Sequence, residues 1–344
     1  MPHRRTRIRD DAMHEINVLI TAASRRVPLI QAFSNALKRR GFRGNVITTD
    51  MNHLSPGLYF GSRHYMVPLT TDAQYIPIIK SICFRERIHL LIPTIDDELP
   101  LFGRHAEDFG AMGIRVAVSS ERTGLICNDK YSTAQFLAGK GISFARTWLP
   151  SELDFSLLRY PLFLKPRTGR GSVGAFTIRN ERELRFFLEY VPDPIVQEFL
   201  EGKEFTIDIL ADFDGQVISV VPRERMVVRS GVTDRGRTLN HPEMIRLAIR
   251  TAESLEIRGA ANIQGKLRDD TATLFEVNPR FSGGIPLTIA AGADFPGWLI
   301  EMCGGRNPKP AIGRFTDGLI MACYESAIFL NDSVNDAGAE VALR

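Results

Sequence analysis

The sequence predicts two kinds of sheet in one chain of 344 residues: an N-terminal doubly wound parallel α/β sheet, then a mostly antiparallel α+β region. Two observations predict this. Over about residues 14–127, strand-sized apolar runs alternate with helical periodicity, the signature of a parallel sheet covered on both faces. From about Asn128 the pattern changes to paired runs joined by turn dipeptides, the signature of hairpins. No internal repeat, low-complexity tract or long Pro/Gly linker interrupts either part.

The elements follow in order. "INVLITA" (16–22) is a near-continuous apolar run, as a strand buried on both faces requires. Leu29, Phe33 and Leu37 then recur at i, i+4, i+8 on a helix that ends before Gly41. "NVITTD" (45–50) is a second strand, "AQYIPIIKSICF" a helix, "IHLLIP" (88–93) a third strand, "LPLFGRHAEDF" helical, and "IRVAVS" closes the series. The turn after the first strand, "AASRRVP", has no glycine that would let a pyrophosphate approach the backbone, which weakens a dehydrogenase reading. In the second part a helix (129–139) leads to the strand "PLFLKP" (161–166), a glycine loop, and "GAFTIRN" (174–180). A helix over 181–190 follows, then strands 194–200 and 204–212 and an Asp214-Gly215 turn into "QVISVVPRERMVVR". A helix (242–255) precedes "AANIQGKLR" and "ATLFEVNPR", which flank an Asp269-Asp270 turn.

Composition excludes several classes. Hydrophobic residues at 44% and charged residues at 24% are those of an ordinary globular protein. No apolar stretch approaches the roughly 20 residues of a membrane helix. The first ten residues, "MPHRRTRIRD", carry the whole net charge of +3, so the balanced remainder has no broad nucleic-acid footprint. That basic segment (1–13) reads as a disordered arm, or translation begins at Met13. Residues 331–344 read as a C-terminal tail. Cys83, Cys127, Cys303 and Cys323 form no C-x-x-C and the histidines no H-E-x-x-H, so neither a disulfide framework nor a zinc site is expected, and the cytoplasm is the expected compartment.

Within "KPRTGRGSVG", Gly169, Gly171 and Gly174 spell G-x-G-x-x-G. A dinucleotide fingerprint needs a helix after the glycines, and "AFTIRN" is a strand, so the loop is the tip of a β-hairpin. Its N–H groups and Ser172 can close over phosphates; a plain hairpin turn is the other reading. Lys165 ends the strand leading into the loop and Lys130 opens a helix 35 residues earlier, a pair suited to a triphosphate. Glu276 and Asn278 lie two apart on one strand face, with Gln264 across the hairpin; oxygen donors of this kind suit Mg²⁺. Arg280 projects from the same side. Arg223, Arg225 and Arg229 alternate along another strand, where the first two are candidate phosphate or substrate contacts and Arg229 is equally well a solvated charge.

With these residues in view the sequence resembles the ATP-grasp superfamily, in its carbamoyl-phosphate-synthase-like branch, from about residue 16 to 328. The most specific stretch is "EVNPRFSGG", similar to the E-x-N-P-R segment of that family. The resemblance implies a pre-ATP-grasp domain (14–127) and an ATP-grasp fold of two subdomains: a smaller one with the flap (about 128–200) and a larger metal-binding one (about 201–330). It implies Glu276, Asn278 and Gln264 as magnesium ligands, Arg280 against the reacting phosphoryl or acyl group, and Lys130 and Lys165 on phosphates. "QEFLEGKE" is similar to the adenine hinge: Glu198 and Leu200 would offer backbone groups, Gln197 would lie beside the adenine amino group, and Glu204 would hold the ribose. Many hinges of this kind begin with Glu where this chain has Gln197.

The implied cofactors are ATP and Mg²⁺, two ions, with Mn²⁺ as a substitute. The implied activity is ligation of a carboxylate to an amine or thiol through an acyl phosphate, with small-molecule substrates, no nucleic acid and no membrane, and compatible with a homodimer. Two alternatives stay open: a bicarbonate-phosphorylating enzyme or subunit, and an ATP-binding regulator without chemistry.

Overall fold

A computed structural model describes residues 15–331 except Arg170 and Ser230; the expected N-terminal arm and almost all of the C-terminal tail lie outside the described residues. The first sheet consists of Asn17–Ile20 (β1), Val46–Asp50 (β2), Arg63–Met66 (β3), Ile88–Ile92 (β4) and Arg115–Val116 (β5). Its order is β3-β2-β1-β4-β5, and all pairs are parallel. The apolar runs are strands for the reason given above: every residue of β1 and β2 is buried. Order reverses between β1 and β4, the topological switch point at which open α/β sheets form a crevice. The strand β3, "RHYM", was not expected; it is half exposed at the sheet edge and carries no apolar run.

The remaining strands form two antiparallel sheets. Thr147–Trp148 (β6), Leu162–Pro166 (β7), Phe176–Ile178 (β8) and Pro194–Glu198 (β9) pair in the order β6-β9-β7-β8. Lys203–Ala211 (β10), Val217–Arg229 (β11), Val232–Thr238 (β12), Gly259–Arg268 (β13), Thr271–Asn278 (β14) and Ile320–Ala322 (β15) pair in the order β14-β13-β10-β11-β12-β15. The glycine loop does join two antiparallel strands, with Leu162 opposite Ile178 and Leu164 opposite Phe176. Asp269 and Asp270 both take positive φ (48° and 61°), as a two-residue hairpin turn demands.

One core ties the N-terminal sheet to the large antiparallel sheet. Val18, Ile20, Leu90 and Ile92 share a buried cluster with Leu210, Val221, Phe281 and Phe295, and Phe33 meets Phe281 edge to face at 5.9 Å. Helix Val27–Arg39 ends beside helix Phe295–Cys303, where Arg40 pairs with Asp294 and Glu301, both at 2.8 Å. This packing brings the crevice at the ends of β1 and β4 against the segment that follows β14.

Candidate functional site

The hairpin β13–β14 carries the candidate metal ligands. Gln264 is the register partner of Glu276, and Asn262 that of Asn278. Alternation puts Glu276 and Asn278 on one face, where Asn278 Nδ2 donates to Glu276 Oε1 at 3.0 Å. A register shift follows Gln264, and Gly265 makes it feasible: a Cβ there would meet Thr273 O at 2.4 Å. The chain then turns, with Arg280 N donating to Asn278 O at 2.8 Å. Asn262, buried beneath, braces this turn through Nδ2 to Asn278 O (3.3 Å) and Arg280 O (3.0 Å). Arg280 donates through Nε and Nη2 to Asp96 Oδ2 at 3.1 and 2.8 Å, and through Nη2 to Asn278 Oδ1 at 3.3 Å. Asp96 and Asn262 were not among the expected residues. Asn262 carried a usable signal, since it lies two before Gln264 on the same strand face; Asp96 offered only its place in "TIDDE" after a buried strand.

The donor set suits a hard cation only with help. Gln264, Glu276 and Asn278 supply oxygen, but just one of the three is charged, so phosphate oxygens must complete the coordination. Among the described residues no group of three or more His, Cys, Asp or Glu forms a metal cluster.

Lys165 lies on the opposing sheet, and Lys130 on a helix. Lys165 is buried on β7, and its Nζ donates to Phe275 O at 3.3 Å, which brings β7 face to face with β14. Burial pushes its ammonium down to about 8, against the attraction of Glu276 and with a smaller push from Lys130. The Phe163 and Phe275 rings flank it, 5.9 and 5.4 Å away. Lys130 opens helix Lys130–Gly139, capped by Asp129, and reaches the loop through Nζ to Gly169 O at 2.7 Å. Gly169, Gly171 and Gly174 have φ of 97°, 72° and 71°, and Ser172 one of 58°. The loop tip rests on the β11–β12 turn, where a Cβ on Gly231 would lie 3.0 Å from Gly171 Cα.

The hinge and the arginines are more heavily paired than expected. Gln197 is buried and donates to Thr147 Oγ1 at 2.9 Å. Glu198 spends its N–H on Arg146 O (2.9 Å) and its carboxylate on Arg146 Nε (3.0 Å), with half-buried Leu200 beyond. Glu204 pairs with Arg225 (2.9 Å) and Lys266 (3.3 Å). Arg225 also donates to Gln264 Oε1 and Gly231 O, both at 2.8 Å, linking the candidate metal ligands to the turn under the loop. Arg229 is exposed beside Glu325. Arg223 requires a correction. It has no exposed surface, pairs with Asp208 at 2.7 and 3.0 Å, and donates to Ser282 Oγ at 3.0 Å, so it is an internal ion pair and not a phosphate or substrate contact. A cavity of about 850 Å³ opens by the hinge, lined by Trp148, Leu162, Glu198, Leu200, Lys266 and Arg268. Neither Lys130 nor Lys165 lines this cavity.

Comparison with known proteins identifies similar domains and folds. Residues 190–327 match the family described as ATP-grasp in the biosynthetic pathway with Ter operon, and residues 18–117 match the PylC-like N-terminal domain. The D-alanine–D-alanine ligase of Petrotoga mobilis is 25% identical over 185 residues, covering 48% of this chain and 62% of the ligase. The arginine-specific carbamoyl phosphate synthase large chain of Bacillus subtilis is 24% identical over 270 residues, covering 73% of this chain. The chain thus spans under two thirds of the first relative's length and a quarter of the second's. In fold it is similar to the biotin carboxylase domain of Hydrogenobacter thermophilus 2-oxoglutarate carboxylase, solved with MgADP and bicarbonate (TM-score 0.70, 16% identity, 88% of this chain and 73% of that one). It is also similar in fold to the L-amino acid ligase of Bacillus licheniformis (TM-score 0.65, 18% identity, 84% and 74%). Among the described residues no helix is long and apolar enough to cross a membrane. The chain thus carries an ATP-grasp match over residues 190–327, preceded by a PylC-like N-terminal match over residues 18–117.

Proposed function

We propose that the chain is an ATP-dependent ligase that joins a carboxylate to an amine or thiol through an acyl phosphate, releasing ADP and phosphate. One observation supports the reading: Lys165 on the small sheet bonds the strand that presents Glu276 and Asn278, which sets a buried cation beside the candidate oxygen donors. In this reading residues 14–127 are the substrate-side domain and about 128–330 the ATP-grasp unit, its flap-bearing part ending near residue 200. Lys130 and Lys165 neutralise phosphate oxygens, and the loop over Gly169–Gly174, with Ser172, closes on them. The Glu198 carbonyl and Leu200 receive the adenine beside Gln197, and Glu204 the ribose. Gln264, Glu276 and Asn278 would hold Mg²⁺, two ions or Mn²⁺ in their place, which would offset charge on the transferred phosphoryl.

The carboxylate oxygen forms its bond to the γ-phosphorus as the bond to ADP breaks. The amine then attacks the acyl carbon, phosphate leaves with the bonding pair, and the amine proton passes to solvent or phosphate. Arg280, at the end of the metal face, meets the charge that develops on phosphoryl and acyl oxygens.

The test is oxygen transfer. A pool of ¹⁸O-labelled carboxylates with Mg-ATP should pass one label to released phosphate, and hydroxylamine should trap the acid as a hydroxamate. The similarity to a carbamoyl phosphate synthase chain favours bicarbonate as a second reading, in which only labelled bicarbonate transfers oxygen. Transfer from neither, with Mg-ATP bound, refutes the ligase and leaves a nucleotide-binding role.

A further inference from the structure

The Arg280 guanidinium is held by a residue from the other end of the chain, and that residue is itself unusually constrained. Asp96 lies on the short 3₁₀ turn Asp96–Glu98 after β4, at the switch point of the parallel sheet. Two residues on, Glu98 is buried and clamps the loops after β1 and β4 together. It accepts from Thr21 Oγ1 (2.9 Å), from Thr94 N (3.3 Å) and from Tyr75 OH. Thr94 Oγ1 ties the same loops again, donating to Thr21 O (3.0 Å) and Ala22 O (2.8 Å). Ala22 and Ser24 take φ of 47° and 38°, a conformation that non-glycine residues hold only where surroundings fix them. Asp96 therefore projects from a rigid frame.

Asp96 and Arg280 are both 13% exposed in their side chains. One oxygen, Oδ2, takes both Nε and Nη2. With Nη2 also on Asn278 Oδ1 and Nη1 on Phe281 O (3.1 Å), the guanidinium plane is fixed between the N-terminal domain and the metal face. A planar fork held on both edges has one orientation, which a flexible arginine at a strand end would not keep unaided.

We infer that Asp96 is a positioning residue: it aims Arg280 at the transferred phosphoryl and makes the parallel domain part of the catalytic frame. This rests on the reading of Arg280 given above. Asp96 need touch neither nucleotide nor metal, so its loss should spare ground-state nucleotide binding and weaken what forms only around the transferring group.

The experiment uses MgADP alone and MgADP with aluminium fluoride, a mimic of the transferring phosphoryl, on the full chain. Wild type should bind MgADP more tightly with aluminium fluoride, and Arg280→Gln should lose that gain. Asp96→Ala should lose about tenfold or more of the gain while MgADP alone changes by less than about twofold, the scale of a lost charge-assisted contact. Asp96→Asn, which keeps shape and one acceptor, should fall between and guards against misfolding of the alanine variant. A purely structural Asp96 would weaken both complexes alike and lower the melting temperature, which overturns the inference. So does an Asp96→Ala protein that keeps the full gain while Arg280→Gln loses it. If Arg280→Gln keeps the gain, the reading of Arg280 fails, and the inference with it; if wild type does not bind MgADP, the ATP reading itself fails.

Discussion

Lys165→Met should make the protein more stable and less able to bind nucleotide. The lysine is 5% exposed, and burial pushes its ammonium from 10.5 to about 8. That gap corresponds to roughly 3 kcal/mol spent at neutral pH to keep the buried group charged. Methionine has nearly the same length and fits between the Phe163 and Phe275 rings without a charge. It forfeits one long hydrogen bond to Phe275 O and two distant ring contacts, together about 1–2 kcal/mol. The net gain at pH 7 is then of order 1–2 kcal/mol. The sign with pH follows from the same values. The folded group titrates below the unfolded one, so the unfolded chain binds more protons between about pH 8 and 10.5, and wild-type stability rises across that window. The advantage of methionine should therefore shrink from pH 8 upward by about 1.4 kcal/mol per pH unit, vanish at about pH 9, and reverse by 10.5. Affinity moves the other way, because one cation leaves the phosphate side: MgADP should bind about 10–100-fold more weakly. Wild-type affinity should also fall above about pH 8, where the free protein's Lys165 loses its charge, while the variant stays flat. Melting curves from pH 7 to 10 and calorimetric titration with MgADP measure both. A variant that melts lower at pH 7 and binds MgADP as wild type would refute the placement of a strained cation at the phosphates.

Further outcomes follow from the same geometry. Glu276→Gln keeps the hydrogen bond partner of Asn278 but removes the only carboxylate of the metal face, so hydroxamate formation should fall about 100-fold with the fold intact; unchanged turnover in a folded variant would remove Glu276 from the metal site. Arg223→Met leaves Asp208 buried with Thr288 as its remaining hydrogen-bond partner and should cost about 3–5 kcal/mol by denaturation, whereas a surface phosphate contact would cost almost nothing. Glu98 is pushed up to about 7 by burial, so the folded state holds its proton longer than the unfolded one and stability should fall as pH rises from about 4.5 to 7; Glu98→Gln should flatten that decline, and an equal slope in the variant would exclude Glu98 as its source.

Much of the fold was legible because its strands carry their burial in composition. Parallel strands buried on both faces must be apolar throughout, so β1 and β4 stand out, and the helix over Val27–Arg39 shows its buried stripe at Leu29, Phe33 and Leu37. Strands held chiefly by neighbours do not. "RHYM" and "VTDRGRT" take their geometry from pairing with β2 and β11, and their own side chains are mixed and partly exposed. Helix Glu121–Asn128 was likewise missed, its amphipathic pattern being weak although Ser120 caps it at Thr123 N (3.2 Å).

The site divides along the same line. Alternation alone places Glu276 beside Asn278, because a strand face is a local property, whereas the register shift after Gln264 is what sets Gln264 opposite Glu276. Arg223 and Arg225 show where that reasoning stops. Both lie on one face of β11, and nothing in their spacing distinguishes them. The difference comes from 59 residues further on, where the segment beginning at Ser282 and running to Gly284 covers the inner end of the strand. Gly284 lets it lie that close, since a Cβ there would fall 2.4 Å from Arg223 Nη1. Arg223 is sealed against Asp208, while Arg225 stays near the cleft with Gln264 and Glu204. Asp96 is the extreme case, 184 residues from the arginine it holds. Its partner is chosen by the packing of the N-terminal domain on the segment after β14, through Phe33 of helix Val27–Arg39 on Phe281, and that packing has no period a single sequence could display.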